Sequence, residues 1–158
     1  MNRFALSATG LMAATASAAP VEIDVTLDYW AGEAGILIYN SASSLVASLD
    51  VVSGYLSAVG MSLTAFTAFG SGTSASYAIG LAGDFAAGDY TIVLTDTYGD
   101  GWAWNGTAGG VTGYGGAASG DAILFSSGSS ISGSFTVVPA PAGLALLGLA
   151  GLSRRRRG

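Results

Sequence analysis

The chain has 158 residues, 51% of them hydrophobic and 9% charged, with a formal net charge of −5 and neither cysteine nor histidine. Its five basic residues are Arg3 and Arg154 to Arg157, so residues 19–136 hold all ten acids and no base. That balance excludes a nucleic-acid-binding body, since nothing in it can neutralise phosphates, and removes disulfide, thiolate and imidazole chemistry. The aliphatic content excludes acidic disorder.

At the N-terminus, MNRFALSATGLMAATASAAP places Arg3 before an apolar stretch and ends in the small-residue pattern Ala16-Ser17-Ala18. This predicts a secretory signal peptide over residues 1–18, cleaved after Ala18; the alternative is a buried first helix. Export would permit disulfides, yet there are none to form, so stability must come from the core or from a bound ion.

Residues 19–136 form the predicted body. Val21, Ile23, Val25 and Leu27 alternate with Glu22, Asp24, Thr26 and Asp28, the pattern of a half-buried strand. Ile36 to Tyr39 and Leu45 to Val51 are short apolar runs, and a hairpin across Asn40 to Ser44 is expected between them. Val52 to Phe69 is ambiguous: Met61, Leu63 and Ala65 alternate, while Tyr55, Leu56 and Val59 fit one helical face, and strand is the reading preferred. Tyr77, Ile79 and Leu81 alternate, as do Tyr90, Ile92 and Leu94, and Ala122 to Phe125 and Ile131 to Val137 complete the set. From Tyr98 to Asp121 nine glycines and little apolar periodicity predict a long Gly-rich loop. The fold expected is all-β, an antiparallel β-sandwich of jelly-roll-like or Ig-like form.

Two segments echo each other. DVTLDYWAGEAG and TIVLTDTYGDGW each run a strand-like segment into an aspartate, then an aromatic, a glycine and a second acid. Asp28, Trp30, Gly32 and Glu33 correspond to Asp96, Tyr98, Gly99 and Asp100. If both strands end on one rim, four carboxylates converge there; the alternative is coincidence in a chain of low complexity.

A hard cation such as Ca²⁺ takes six to eight oxygens, commonly from carboxylates and a tightly turning glycine-rich loop. Asp96, Asp100 and Gly101 occupy the first, fifth and sixth positions of a calcium-loop pattern, but Tyr98 stands at the third and Thr107 at the twelfth, so this is no EF-hand. Asp96 and Asp100, with Asn105, Asp28 and Glu33 as completing ligands, are the candidate Ca²⁺ site. Without basic side chains, their repulsion must be met by water, backbone N–H groups or a cation. The competing reading is a turn in which Asp96 and Asp100 accept backbone hydrogen bonds and Gly99 and Gly101 supply positive φ.

Trp30, Tyr98, Trp102 and Trp104, with Tyr114, lie in or beside the expected loops, where exposed rings can stack on sugars. The alternative for Trp102 is an inward turn that plugs the core. Catalysis is not expected, because the only candidate is a carboxylate pair, Asp96 and Asp100, with no apolar pocket to raise one pKa.

Asp96, Tyr98, Gly99, Asp100, Gly101 and Trp102 together resemble a D-x-Y-G-D-G-W motif that recurs in exported bacterial and other extracellular β-rich proteins. Those proteins often carry an earlier strand ending in aspartate and followed by a glutamate, as Asp28 and Glu33 do here, though the tryptophan usual after that glutamate is missing. The resemblance implies an extracellular β-sandwich with a shared loop rim and no particular activity.

Residues 137–158 join a proline-containing stop, an apolar run from Ala142 to Leu152 and four arginines. The run is shorter than the roughly 20 residues that span a bilayer comfortably, and the arginines favour the cytoplasmic side. Val138-Pro139-Ala140-Pro141-Ala142 followed by this run and Arg154, Arg155, Arg156 and Arg157 resembles the PEP-CTERM sorting signals of the Val-Pro-x-Pro-Ala variant. Ala140 departs from the commonest form, which has glutamate there. The resemblance implies a Gram-negative bacterium, transient anchoring in the inner membrane, an exosortase as processing partner, and release to the cell surface or an exopolysaccharide matrix. A permanent single-span anchor is the alternative.

The function expected is that of an exported structural or adhesive protein of the surface or extracellular matrix, as in a biofilm, with a Ca²⁺ site at the loop rim. The rival is a carbohydrate-binding module that recognises exopolysaccharide, and a small carboxylate hydrolase is a distant third. Mass spectrometry of mature surface material is expected to find no peptide containing Arg154; recovering one means that the tail is kept.

Overall fold

The computed structural model describes residues 18–52, 55–69, 76–104 and 106–139. Among these residues twelve strands follow one another: β1 Ala19–Leu27, β2 Ala34–Asn40, β3 Leu45–Val52, β4 Tyr55–Val59, β5 Ser62–Phe69, β6 Ser76–Phe85, β7 Gly88–Asp96, β8 Ala103–Trp104, β9 Thr107–Gly116, β10 Ala118–Gly120, β11 Ile123–Phe125 and β12 Ser130–Val137. Among the described residues a single 3-10 turn, Ala31–Glu33, lies between β1 and β2. All pairings are antiparallel. One sheet has the order β11-β9-β1-β6-β5, with β8 on β9, and the other β10-β12-β7-β2-β3-β4. The expected all-β sandwich is what forms.

Alternation decides which face of each strand is buried. Val21, Ile23, Val25 and Leu27 point inward from β1 while Glu22 and Asp24 stay in water. Tyr90, Ile92 and Leu94 from β7 and Ile36 and Ile38 from β2 meet them from the other sheet, forming one continuous core. Burying such side chains contributes roughly 1.5–3 kcal/mol each, and with no disulfide this burial holds the body together.

The hairpin between β2 and β3 turns where it is expected, because the Asn40 side-chain carbonyl accepts the N–H groups of Ala42 and Ser44, both at 3.0 Å. Val52–Phe69 is strand rather than helix: β4 pairs with β3, the chain turns at Gly60 with φ +72°, and β5 joins β6 in the opposite sheet.

The Tyr98–Asp121 segment corrects the expectation of a long Gly-rich loop. It contains β8, β9 and β10, and β9 is an interior strand flanked by β1 and β11. Gly109, Gly110 and Gly116 are there for close approach to backbone rather than for looseness. A Cβ on Gly109 would lie 2.6 Å from the Thr26 carbonyl oxygen and 2.7 Å from that of Trp102. Glycine thus replaces apolar side chains along half the strand, and the usual period-2 signal disappears.

The two ends of the sandwich differ. At one end Phe135 stacks on Tyr90 and on Tyr114, with ring centroids 5.2 Å apart in both pairs, and Phe85 packs edge-on against Tyr90. Both termini of the body meet there: Ala117 N–H donates to the Pro20 carbonyl, and Val138 N–H donates to the Ala117 carbonyl. The opposite end carries Asp28, Glu33 and Asp96.

Gly109→Ala is expected to cost about 1–3 kcal/mol, as overpacking against rigid backbone does. Gly113→Ala, whose Cβ would meet only the Asp24 side chain at 3.5 Å or more, should be close to neutral. Denaturant unfolding of both variants checks the difference.

Candidate functional site

Strand pairing builds the rim. β2 and β7 pair with Ala34 opposite Asp96, which sets Glu33 beside Thr97. The Thr97 N–H and hydroxyl both donate to the Glu33 carbonyl, at 3.0 Å each. Across the rim, Asp96 N–H donates to the Ser129 carbonyl at 2.9 Å, tying the turn after β11 to the end of β7. Glu33, Asp96 and Asp100 each offer a carboxylate oxygen, and these three oxygens lie within 4.8 Å of one another. Two oxygens on opposite sides of one Ca²⁺ are about 4.6–5.2 Å apart, so the spacing suits a shared ion.

The turn from Asp96 to Trp102 is built as the capped-turn reading expects at Asp96. The Asp96 carboxylate accepts the Gly99 N–H at 2.6 Å, and Gly99 and Gly101 take φ of +92° and +82°. A Cβ on Gly101 would collide with the backbone of Ser126 and Ser127, so only glycine lets the two turns touch. A capped turn and a cation cluster are compatible, because a carboxylate that accepts one N–H retains lone pairs for an ion.

Asp28 stands behind the cluster. It is 5% exposed, accepts the Trp30 N–H at 3.0 Å, and lies close enough to Asp96, Asp100 and Glu33 to be repelled by all three. Burial pushes its carboxyl up to about 6; the Trp30 N–H partly offsets this, and the three neighbouring acids add to it. Glu33 is also raised, by desolvation first and then by Asp96 and Asp100. Asp96 is 4% exposed and, with Asp28, is one of two buried acids among the described residues.

The aromatics divide. Trp30, 50% exposed, and Tyr98, 80% exposed, line a cleft of about 300 Å³ together with Glu33 and Asp100. Trp102 corrects its placement among candidate sugar-stacking residues. It is 1% exposed, packs against Phe125 with centroids 5.6 Å apart, and its indole N–H donates to the Thr95 carbonyl at 3.2 Å. Its inward turn removes both ring faces from any ligand and plugs the core under the rim. Tyr114 is likewise no loop residue; it sits in β9 and stacks on Phe135, and burial pushes its hydroxyl up to about 12.

The backbone of Trp104, in β8, pairs with Thr107 of β9, while Asn105 lies outside the described residues. Of the residues expected to form a sorting signal, Val138 and Pro139 close the described body, and Pro141, Ala142 and Arg154 to Arg157 lie outside the described residues. The rim therefore joins Asp28, Glu33, Asp96 and Asp100 with Trp30 and Tyr98. Sequence reasoning missed Thr97, which fixes Glu33, and the Ser126–Ser129 turn, which braces Asp96. The serine-rich turn carries no signal of its partner, although the threonine lies inside the motif.

No protein-family model, curated protein or solved structure matches this chain. Among the described residues, no helix is long and apolar enough to cross a membrane.

Asp28 binds its proton more tightly folded than unfolded. The stability it contributes is complete below its ordinary value of 3.8 and is lost as pH rises through about 6, amounting to roughly 3 kcal/mol by pH 7. Glu33 has the same sign. In chelator-treated protein, stability should fall as pH rises across this window. Asp28→Asn, which keeps a carbonyl for the Trp30 N–H, should flatten that limb and exceed the parent at pH 7. Denaturant unfolding across a pH series measures both.

Proposed function

We propose that the protein is an exported, non-enzymatic structural or adhesive component of the cell surface or extracellular matrix, and that its rim holds a divalent cation, with Ca²⁺ the best chemical match. The observation that carries this reading is the convergence of Glu33, Asp96 and Asp100, their oxygens within 4.8 Å, in a body that contains no base to neutralise them. An oxygen-only ligand set favours a hard cation over softer metals, and the rim acids supply the negative charge that such an ion requires.

The tail is assigned to sorting: an exosortase would recognise the Val138–Ala142 motif at the inner membrane and release the body. Support comes from the position of the body's ends. β12 runs from Ser130 beside Thr95, near the rim, to Val137 beside Gly88 at the far end. A chain held by its C-terminus would thus carry the rim away from its attachment, where it can meet other matrix components.

A second reading, a carbohydrate-binding module for exopolysaccharide, is favoured by one observation. Trp30 and Tyr98 flank the same cleft as Glu33 and Asp100, so aromatic faces and hydroxyl-binding oxygens sit side by side.

Thermal melts separate these readings. Ca²⁺ at about one hundred times its Kd should add about 2.7 kcal/mol over chelator, a rise of several degrees in midpoint. Asp100→Asn should abolish that rise without lowering the chelated midpoint. Identical midpoints with Ca²⁺ and chelator would sink the cation site. On a glycan array, Ca²⁺-dependent binding that is lost in Trp30→Ala and Tyr98→Ala selects the carbohydrate reading, whereas no binding leaves the structural one.

A further inference from the structure

We infer that two copies of this chain associate through the outer edges of β5, antiparallel across a two-fold axis, joining their β11-β9-β1-β6-β5 sheets into one continuous sheet. The inference rests on neither the rim nor the C-terminal tail.

An edge strand presents a row of unpaired N–H and C=O groups, and folded proteins blunt such edges with short strands, charges or proline. The two sides of this sandwich are treated differently. On one side the edges are β11 and β10, each three residues long, with Asp121 between them. On the other they are β5, eight residues, and β4, five residues. From Val51 to Gly83 the chain has no charged residue and no proline. Ser62, Leu63, Thr64 and Ala65 are all exposed, and among the described residues nothing pairs with the outer edge of β5. One bulge, between Leu63 and Ala65, interrupts the register with β6, and from Ala65 to Phe69 the pairing is regular.

Charge selects the occupant. The body carries ten acids and no base, so two copies repel each other over most of their surfaces. The β5 side is where that repulsion is least, because the flanking acids, Asp50 and Asp84, lie beyond the neutral stretch. A basic partner would be drawn to the acidic faces instead. A neutral edge with free backbone groups is complementary to another such edge, and each copy brings one. The outcome is an isologous pair, which closes on itself.

The cysteine-free sequence makes this directly testable, since a single introduced cysteine can form a disulfide only between copies. Across a two-fold axis, each step of one residue along β5 moves a position and its counterpart apart by about 6.6 Å, twice the strand rise. A disulfide requires Cα atoms within about 7 Å. The full chain would be oxidised as Ser62→Cys, Leu63→Cys, Thr64→Cys, Ala65→Cys, Phe66→Cys, Thr67→Cys, Ala68→Cys and Phe69→Cys, with Ser119→Cys on the opposite edge as control. Hydrogen exchange of the cysteine-free parent would be followed against protein concentration. The expected result is covalent dimer confined to one or two adjacent β5 positions and slower exchange across Ser62–Phe69 as concentration rises. Absence of dimer at every position with exchange independent of concentration overturns the inference. So does dimer formed equally at all positions, Ser119→Cys included, which is the pattern that association through the apolar tail would give.

Discussion

A body with ten carboxylates and no basic side chain has to satisfy its acids without salt bridges, and much of this structure follows from that constraint. Most of the acids stay on outward faces, as Glu22 and Asp24 do on β1, where water solvates them. Asp28 and Asp96 cannot, because each follows or ends a strand whose inward positions are buried. Both are met by backbone N–H groups, from Trp30 and from Gly99. One N–H does not balance a buried charge beside three others, and this is why Asp28 holds its proton so tightly. A cation shared by the neighbouring acids would relieve the same repulsion.

The aromatic residues divide according to the same geometry. Trp102 enters the core directly beneath the Asp96 turn, anchored at its indole N–H and its backbone N–H, the latter bonded to the Phe125 carbonyl at 2.8 Å. It forms a rigid floor for the loop that carries Asp100. Trp30 and Tyr98, on the solvent side of the same turns, are left free to face a ligand. At the far end, Tyr90, Phe135, Tyr114 and Phe85 close the sandwich where both chain ends leave it. One end is therefore sealed by rings, and the other is lined by acids.

Legibility in the sequence tracks where side chains carry the pattern. β1, β7 and the β2–β3 hairpin are plain to read, since their apolar residues alternate and Asn40 marks the turn. β9 is invisible because its fit depends on side chains that are missing: Gly109 lies against the Thr26 and Trp102 carbonyls, so backbone proximity takes the place of an apolar stripe. The Tyr55–Val59 segment is strand, the reading preferred from its sequence, because its helical spacing is overruled by the ladder that β3 offers it. At the rim, the repeated acid–aromatic–glycine pattern points to Glu33, Asp96 and Asp100, which the fold brings together, and to Asp28 close behind them. The bracing of Asp96 by Ser129 is unreadable, because a backbone carbonyl leaves no mark on residue identity.

The sequence by itself determined the class of fold, the base-free charge of the body and the pair of segments that meet at the rim. These depend on periodicity and composition, which are properties of residues one at a time or of near neighbours. Tertiary structure alone decided that Trp102 turns inward while Trp30 and Tyr98 face out, and that Asp28 lies behind the cluster rather than in it. It also decided that β5 is left as a long neutral edge. Each of these depends on which strand lies beside which, and the register of Ala34 against Asp96, far apart in the chain, is set by the packing of two whole sheets rather than by either segment.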